Sequence, residues 1–322
     1  MKTALRLESP SVLEAVKGQL TSMGCWVEVL KGRHNEVTLL VQGPSVPLTR
    51  EALESLDGVA SVTHSNDAHP KVQSQSGDLA FSSGLPLIAG PCAIESPEVL
   101  DEIAKSLTSL GIEWIRGGAF KPRTSPYSFQ GHGRQALRWL DDVRRDYGLK
   151  IVTEVMSELE VDDVAQTATW MQIGARNMQN YRLLKCVGEI GKPVLLKRGP
   201  AAQIEEWLGA GEYLLSSGAP KVIFCERGIR GYGGPTRNLL DLATVVHMRQ
   251  SLGQPVIVDP SHATGRRDLV VPLSKAALVS GADGVMVEVH PRPDLALSDG
   301  AQALSFSQLA ELVAWLENAN LT

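Results

Sequence analysis

The chain has 322 residues, of which 43% are hydrophobic and 21% charged, and its formal net charge is −5 at pH 7. This length suits one large globular domain and one small one, and the negative charge argues against a general binder of nucleic acids or acidic membranes. The four cysteines fall at wide, irregular spacings, and we find neither a signal-peptide pattern nor an apolar run near the ~20 residues of a membrane helix. We therefore predict a cytoplasmic protein without disulfide bonds.

Residues 1–66 predict a small α+β domain. The apolar runs "TALRL", "CWVEVL", "EVTLLVQG" and "VASVTHS" are separated by two helical stretches, "SPSVLEAVKGQLTSMG" after the first run and "TREALESLDG" before the last. The order strand, helix, strand, strand, helix, strand is typical of a ferredoxin-like domain. Such modules more often regulate an enzyme or pair with other domains than carry out catalysis, so we predict a regulatory role. Residues 67–84, which are polar, serine-rich and interrupted by Pro70, are predicted to be a linker.

Residues 85–322 contain eight short apolar runs between helical segments. The runs are "LPLIAG", "EWIRGG", "KIVTEV", "WMQIGA", "PVLLKRG", "KVIFCERG", "PVIVDPS" and "GVMVEVH". Eight strands alternating with helices predict a (β/α)8 TIM barrel. A doubly wound open sheet is the main alternative, but no G-x-G-x-x-G motif follows the first run.

Polar residues follow these runs one after another. In a barrel they would lie at the C-terminal ends of the strands, where barrel enzymes carry their active sites. In chain order they are Cys92; Arg116 and Lys121; Glu154; Arg176 and Asn177; Lys197 and Arg198; Glu226 and Arg227; Asp259 and His262; Glu288 and His290. Any one of them could be a cap or a surface ion pair. Together they predict a catalytic mouth.

Cations are concentrated in this set although the protein is acidic. The loop "GGAFKPRTSPYSFQGHG", residues 117–133, is stiffened by two prolines and rich in hydrogen-bond donors; a solvated surface loop is its alternative interpretation. Clustered arginines and lysines favour a multiply anionic small molecule, and we expect roughly two thirds of them to contact it. The cations are Arg116, Lys121, Arg123, Arg176, Lys197, Arg198, Arg227 and Arg230.

A second group has the character of metal ligands: Cys92, His262, Glu288 and Asp299. A thiolate, an imidazole and two carboxylates suit manganese, iron, cobalt or zinc better than magnesium or calcium. Singly, Cys92 could be a small buried residue and His262 a capping histidine. His290 is a rival ligand, and Cys225 could be an ordinary core residue.

Several long motifs carry a resemblance to one family. They are "AGPCAIES", "RGGAFKPRTSPYSFQG", "IGARNMQN", "PVLLKRG", "CERGIR", "TRNLLDL", "VDPSHATGRRDLV", "VEVHP" and "LSDG". From about residue 85 onward the chain resembles the short, bacterial-type 3-deoxy-D-arabino-heptulosonate 7-phosphate (DAHP) synthases, which are related to the octulosonate phosphate synthases. The N-terminal module resembles the ferredoxin-like domain that some members carry.

The resemblance implies a transferase that condenses phosphoenolpyruvate with erythrose 4-phosphate at the entry to aromatic amino-acid synthesis. By motif position, phosphoenolpyruvate would be held by Arg116, Lys121, Lys197, Arg176 and Arg227, the last two at its phosphate. The aldose would be held by Arg123 and Thr124, and the divalent metal, manganese before iron, cobalt or zinc, by Cys92, His262, Glu288 and Asp299. We predict catalytic roles for Lys121 as a proton relay and for Cys92 and His262 as metal ligands.

We further expect a homo-oligomer, a tetramer or dimer, and an aromatic amino acid bound by residues 1–64 as an effector. Two departures from the family pattern are "GYGGP" at 231–235, where a more charged segment is common, and His132, where a small apolar residue is common. Three alternatives stay open. The first is an octulosonate phosphate synthase that uses arabinose 5-phosphate, which "KPRT" disfavours and whose metal-free forms Cys92 disfavours. The others are a Schiff-base aldolase with Lys197 or Lys121 as nucleophile and a ligand sensor with an inactive barrel.

Overall fold

The computed structural model describes residues 2–31, 37–42, 49–64, 69–75, 81, 85–121 and 127–319. The chain divides into two compact units, Met1–Pro70 and Lys71–Thr322. The functional boundaries placed at residues 66 and 84 stay a prediction. Across the described ranges, none of the helices is both long enough and apolar enough to cross a bilayer.

The N-terminal unit is a ferredoxin-like domain. Its elements are β1 (Lys2–Leu7), α1 (Leu13–Ser22), β2 (Trp26–Lys31), β3 (Val37–Gln42), α2 (Arg50–Glu54) and β4 (Val59–His64). The strands form one sheet in the order β2-β3-β1-β4, and each neighbouring pair is antiparallel. The predicted element order is confirmed.

Alternation along β1 explains this sheet. Leu5 and Leu7 are buried whereas Arg6 between them is exposed, as expected for a strand with one covered face. Leu5 lies opposite Leu39 of β3 and Val62 of β4, so three apolar side chains meet at the centre of the covered face. The sheet and its helices thereby bury a core of their own.

The second unit is a closed barrel of eight parallel strands. The strands are β5 (Leu87–Gly90), β6 (Trp114–Arg116), β7 (Lys150–Val155), β8 (Trp170–Ile173), β9 (Val194–Lys197), β10 (Val222–Glu226), β11 (Val256–Val258) and β12 (Gly284–Glu288). Each of the eight predicted runs contains one of them. Because both faces of a barrel strand are covered, the runs are mostly apolar rather than alternating.

Helices separate the strands of the barrel. They are α4 (Pro97–Ser109), α5 (Arg134–Tyr147), α6 (Val161–Thr167), α7 (Tyr181–Glu189), α8 (Ile204–Ser217), α9 (Leu242–Val246), α10 (Pro260–Thr264), α11 (Arg267–Val279) and α12 (Phe306–Asn318), and the short helix α3 (Pro70–Ser74) precedes them all. Local sequence sets several ends: the Ser96 hydroxyl caps α4, and Ser305 with Gln308 forms a capping box at α12.

Residues 71–75, which follow the first residue of α3, pack on the barrel. The Glu212 carboxylate of α8 accepts hydrogen bonds from the backbone N–H groups of Lys71 and Val72. Gln75 donates to the Gln254 side chain at 2.7 Å and accepts from Val222 N at 3.0 Å. Residues 71–75 therefore belong structurally with the barrel, within the stretch that we predicted to be a linker.

Apolar residues fill the barrel and the layer around it. Trp114 and Trp170, the first residues of β6 and β8, stack inside the barrel with ring centroids 4.1 Å apart. Cys225 lies in the same inner cluster, and burial raises the pKa of its thiol, which agrees with its interpretation as a core residue. The apolar filling leaves the C-terminal strand ends as the main place for clustered polar side chains.

Replacing Trp207 tests the layer between helices and barrel. Trp207 on α8 is fully buried, stacks edge-on against Phe224 at 5.1 Å and donates to Leu196 O at 3.2 Å. Trp207→Ala should lower the free energy of unfolding by about 3–5 kcal/mol, because it removes a large side chain and leaves a cavity. Urea unfolding measures the change. The control Leu159→Ala alters a side chain that is 90% exposed and should cost less than about 0.5 kcal/mol; equal losses would contradict the packing argument.

Candidate active site

A cavity of about 550 Å³ opens at the C-terminal ends of the strands. Its described lining is Arg116, Lys121, Ser128, Glu154, Gly174, Ala175, Arg176, Lys197, Pro200, Arg227, Arg230, Arg237, Asn238, His262 and Asp299. This volume is that of a small-molecule site. Seven of these fifteen residues are arginine or lysine.

The four predicted metal ligands come together at one side of this cavity. Cys92 follows β5, His262 lies in α10, Glu288 ends β12 and Asp299 lies between β12 and α12. One potential ligand atom from each lies within 4.8 Å of all the others. The ends of three strands, β5, β11 and β12, with the segments that follow them, thus converge on a volume suited to one ion, which no local spacing in the sequence could reveal.

His262 is oriented by Asp259, the residue that follows β11. The imidazole Nδ1 lies 2.7 Å from the Asp259 carboxylate, and burial lowers the pKa of His262, so the neutral ring carries its proton on Nδ1 and donates it to Asp259. Its Nε2 therefore presents a lone pair to the cavity. A carboxylate behind a histidine in this way is the usual support of a metal-bound imidazole.

Glu288 faces the same lone pair. Its Oε1 lies 3.2 Å from His262 Nε2 and accepts from Arg116 Nη1 at 2.8 Å, while Oε2 accepts from Gln302 Nε2 at 2.6 Å. Burial would raise the pKa of Glu288, but the neighbouring His262 and Arg116 hold it below its ordinary value. Two acceptors, His262 Nε2 and Glu288 Oε1, then face each other with no proton between them. A shared cation resolves that contact, so the donor set fits a metal ion.

Cys92 and Asp299 complete the set. Burial, reinforced by the Glu288 charge, raises the pKa of Cys92 to about 12, so without a metal the thiol is protonated and donates to Asp299 Oδ2 at 2.9 Å. Burial would raise the pKa of Asp299, but this hydrogen bond and the neighbouring cations lower it to about 2. Lys121 Nζ donates to Cys92 Sγ and to its carbonyl, both at 2.9 Å. A mixture of soft and hard ligands suits a transition metal or zinc.

Backbone geometry at Asp299 is unusual. Its φ of 56° is the only positive value at a non-glycine residue in the described part of the chain. Left-handed backbone at such a residue is uncommon and costs energy, and aspartate tolerates it better than most residue types. The loop therefore accepts local strain to aim this carboxylate at the cluster.

Six of the eight predicted cations line the cavity, namely Arg116, Lys121, Arg176, Lys197, Arg227 and Arg230. Lys197 Nζ lies 2.5 Å from Asp259 Oδ2. Burial would raise the pKa of Asp259, but His262 and Lys197 hold it well below its ordinary value. One buried carboxylate thus joins the cationic and the metal-binding halves of the site.

Arg198 is directed away from the cavity. Its guanidinium pairs with the buried Glu226 at 2.9 Å and with Asp241 at 3.0 Å, and the Glu226 carboxylate also accepts from Gly228 N at 2.6 Å. Successive residues of a strand end point to opposite faces, so Lys197 faces the cavity and Arg198 does not. Arg198 and Glu226 support the strand ends instead of the pocket.

Glu154 and His290 have different places. Glu154 lines the cavity and accepts from Gln172 at 3.1 Å, and a Cβ at Gly174 would collide with its carboxylate. His290, the rival metal ligand, lies outside the four-residue cluster and pairs with Glu95 at 3.3 Å.

The loop of residues 117–133 borders the cavity. Backbone bonds from Lys121 N to Gln130 O and from Gly133 N to Ala119 O close its base, and Ser128 reaches the lining. Arg123 and Thr124, the predicted aldose ligands, lie outside the described residues. His132 donates to Glu95 O at 3.0 Å, and the departure at 231–235 is fully exposed.

Sequence reasoning missed four residues of the site. Arg237 lies 3.6 Å from Asp299, Asn238 donates to His262 O at 3.3 Å, Gln302 binds Glu288 and Glu95 binds His290. The first two stand in the quoted motif "TRNLLDL" and Glu95 in "AGPCAIES", but nothing in those motifs distinguishes them from caps or surface residues. Their roles depend on contacts between distant loops.

Comparison with known proteins agrees with this geometry. The profile of the DAHP synthetase I family matches residues 72–321. A phospho-2-dehydro-3-deoxyheptonate aldolase of Thermotoga maritima is 46% identical over 295 residues, which span 88% of this chain and 87% of that protein. A 2-dehydro-3-deoxyphosphooctonate aldolase of Desulfotalea psychrophila is 32% identical over 264 residues, spanning 76% of this chain and 93% of that protein. A crystal structure of the Thermotoga maritima DAHP synthase superposes with a TM-score of 0.75 at 41% identity, covering 98% of this chain and 96% of that one. The chain therefore belongs to the DAHP synthetase I family.

Proposed function

We propose that this protein is a DAHP synthase. It condenses phosphoenolpyruvate with D-erythrose 4-phosphate and water, giving 3-deoxy-D-arabino-heptulosonate 7-phosphate and phosphate, the first step of the shikimate pathway. The observation that carries the proposal is that the cluster of Cys92, His262, Glu288 and Asp299 borders, through His262 and Asp299, the same cavity that a convergent set of cations lines. An anionic donor and an aldehyde that must be polarised need these two halves side by side.

The cations would bind phosphoenolpyruvate. Arg176 and Arg227 line the outer cavity and suit its phosphate, because guanidinium groups form paired bonds with phosphate oxygens. Arg116, Lys121 and Lys197 are buried and suit the carboxylate end. Arg123 and Thr124 are proposed to hold the aldose phosphate, although no contact of theirs is described.

A divalent ion held by Cys92, His262, Glu288 and Asp299 would act as a Lewis acid on the aldehyde oxygen. Manganese is our first choice, with iron, cobalt or zinc as alternatives. Lys121 lies beside this cluster, 2.9 Å from Cys92 Sγ, and its ammonium has three donors. It is placed to give a proton to the oxygen that becomes an alkoxide when the new carbon–carbon bond forms.

The protein's charges also organise the remaining steps. Water must add at the former enol carbon before phosphate leaves by carbon–oxygen cleavage, so negative charge moves toward the phosphate end of the site. Lys197, Arg176 and Arg227 lie along the cavity wall and would stabilise that charge. Asp259 holds Lys197 by a 2.5 Å contact, which fixes the position of the ammonium before the substrate arrives.

The same contacts weigh against a Schiff-base aldolase. Such an enzyme needs a neutral lysine as its nucleophile. Lys197 pairs with a buried carboxylate, and Lys121 donates to both Cys92 atoms, so each amine is already engaged as a hydrogen-bond donor rather than placed to attack a carbonyl group. Among the two aldose choices, the 46% identity to a heptonate aldolase against 32% to an octonate aldolase supports erythrose 4-phosphate.

We also propose a homo-oligomer, a dimer or tetramer, whose N-terminal unit binds an aromatic amino acid as feedback effector. The described cavity lining comes entirely from the second unit, so the ferredoxin-like unit has no evident part in the chemistry. A small domain kept beside a complete catalytic site is consistent with regulation.

The reaction is tested by mixing the purified protein with phosphoenolpyruvate and erythrose 4-phosphate. Phosphate and the seven-carbon sugar acid should appear in equal amounts, and treatment with a chelator should abolish turnover until Mn²⁺ is restored, because the aldehyde needs its Lewis acid. Phosphate release and chromatography of the product measure this. Faster turnover with arabinose 5-phosphate would contradict the aldose assignment, and turnover that survives chelation would contradict the metal site.

Metal binding should release one proton, from Cys92. The pKa of about 12 keeps the metal-free thiol protonated, whereas His262 is already neutral and both carboxylates are already charged. Because metals bind the thiolate, the affinity should rise about tenfold per pH unit around neutrality. Calorimetry in buffers of different ionisation enthalpy counts the proton. Cys92→Ser should flatten the slope, and a flat profile in the unchanged protein would refute this account.

Removal of residues 1–70 tests the regulatory unit. The remaining chain keeps residues 71–75, which pack on the barrel. Turnover should persist, whereas inhibition of the full chain by tyrosine or phenylalanine should disappear, since the effector site would lie in the removed unit. Initial rates at increasing amino-acid concentration measure both. Undiminished inhibition of the shortened chain would place the effector site elsewhere.

A further inference from the structure

Glu95 stands where three loops of the barrel mouth meet. Its own loop begins with Cys92, three residues earlier, and leads into α4. Its carbonyl accepts from His132, and its carboxylate accepts from Leu297 N at 2.7 Å and faces His290 Nε2 at 3.3 Å. The Glu95 side chain is only 10% exposed. The Glu95 carboxylate is not a proposed metal ligand, and burying a charge costs free energy. Its burial therefore indicates a structural role.

His290 binds Glu95 in a fixed tautomer. The backbone N–H of Arg292 donates to His290 Nδ1 at 3.1 Å, so Nδ1 must be an acceptor and the ring proton lies on Nε2. That proton points to the Glu95 carboxylate. The imidazole is 5% exposed, so this pair forms a rigid link between the loop of Cys92 and the loop after β12.

The loop after β12 needs such a link. Leu295 and Leu297 are 70% and 58% exposed, so apolar burial does not hold this part of the loop in place. Two residues further on, Asp299 has strained, left-handed backbone. On its C-terminal side Gln302 N donates to Asp299 O at 3.2 Å and Arg267 donates to Gly300 O at 2.8 Å. On its N-terminal side, the Ser298 hydroxyl donates to Cys92 Sγ at 3.3 Å, and the backbone N–H of Leu297 donates to the Glu95 carboxylate.

The loop of Glu95 is itself well anchored. Ile94 N donates to Gly118 O at 3.1 Å and Gly118 N to Cys92 O at 3.3 Å, which ties the segment to the neighbouring strand connection. The Ser96 hydroxyl caps α4 immediately afterwards. These bonds fix the positions of Cys92 and Glu95 relative to each other. The hydrogen bond from Leu297 N to Glu95 therefore fixes Leu297 relative to Cys92.

We infer that Glu95, supported by His290, is a positioning residue that sets the separation of the Cys92 and Asp299 ligand atoms and so the affinity of the metal site. This inference rests on the proposed metal site. Neither residue touches the ion in this account: Glu95 acts through the backbone of Leu297 and His290 through Glu95. Residues that hold metal ligands in this way commonly change metal affinity by about 10- to 100-fold when they are replaced.

The test is a titration of the full-length, metal-stripped protein with Co²⁺, followed by the thiolate-to-cobalt absorption that reports Cys92 coordination. Glu95→Ala should weaken Co²⁺ binding about 10- to 100-fold. Glu95→Gln should weaken it less, because its amide oxygen can still accept from Leu297 N while its NH2 group faces the proton of His290. The unfolding temperature of each metal-free variant verifies that it has folded.

A matched control comes from a second carboxylate, on α4, that contacts the same loop after β12. Glu102 pairs with Arg292 at 3.1 Å, but these side chains are 44% and 53% exposed. Glu102→Gln also removes a carboxylate bound to the loop after β12, and it should leave Co²⁺ affinity within about twofold because exposed ion pairs contribute little.

A double-mutant cycle separates positioning from a general loss of stability. If Glu95 acts by placing Asp299, Glu95→Ala should cost little further affinity once Asp299→Ala has been introduced. An unchanged cost in that background would overturn the inference, as would wild-type affinity in Glu95→Ala or equal losses in Glu95→Ala and Glu95→Gln. If the unaltered protein failed to bind Co²⁺, the metal site itself would be refuted, and the inference with it.

Discussion

The site depends on one buried carboxylate, that of Asp259. It accepts from the backbone and ring of His262 and from Lys197, and it is fully buried. Without such partners a charge in this position would be neutralised or excluded. With them it fixes an imidazole tautomer on one side and an ammonium on the other. The proposed metal site and the proposed anion site are thus coupled through a single side chain.

The same principle governs the rest of the mouth. Arg116 is paired with Glu288, Cys92 with Asp299 and Lys121, and Arg198 with Glu226. Each charge is buried only because another charge or donor meets it. The cations of the cavity share their carboxylate partners with other groups of the network. The groups that would bind an incoming polyanion are therefore already in place, and binding requires little reorganisation.

Much of this arrangement could be predicted from the sequence. Apolar runs of barrel length predicted the eight strands, because a strand covered on both faces has no polar alternation to obscure it. Residues at or near the C-terminal ends of the strands, such as Cys92 and Glu288, were predicted because the fold brings all strand ends together. The sequence did not predict whether a strand-end side chain points into the cavity or away from it. Arg198 shows the difficulty, because its partners, Glu226 and Asp241, are distant in sequence.

Residues that contribute only by holding another residue in place were not predicted from the sequence. Gln302 and Glu95 are ordinary residue types in loops, and only the three-dimensional contacts with Glu288 and Leu297 give them meaning. The short segments between β12 and α12 illustrate the general reason. Their conformation is set by bonds to other loops, whereas helices and strands are set by local periodicity that a sequence displays directly.

The left-handed backbone at Asp299 restricts how this site can evolve. Only a few residue types occupy that region readily, chiefly glycine, asparagine and aspartate. Glycine has no side-chain ligand atom, and the asparagine side chain has no charge. The residue at this position must therefore both tolerate left-handed backbone and supply a charged ligand atom for the proposed ion. If the proposed metal site operates, changes in metal preference should therefore arise at its other positions, where extended or helical backbone, as at His262 and Glu288, accepts a wider choice of side chains.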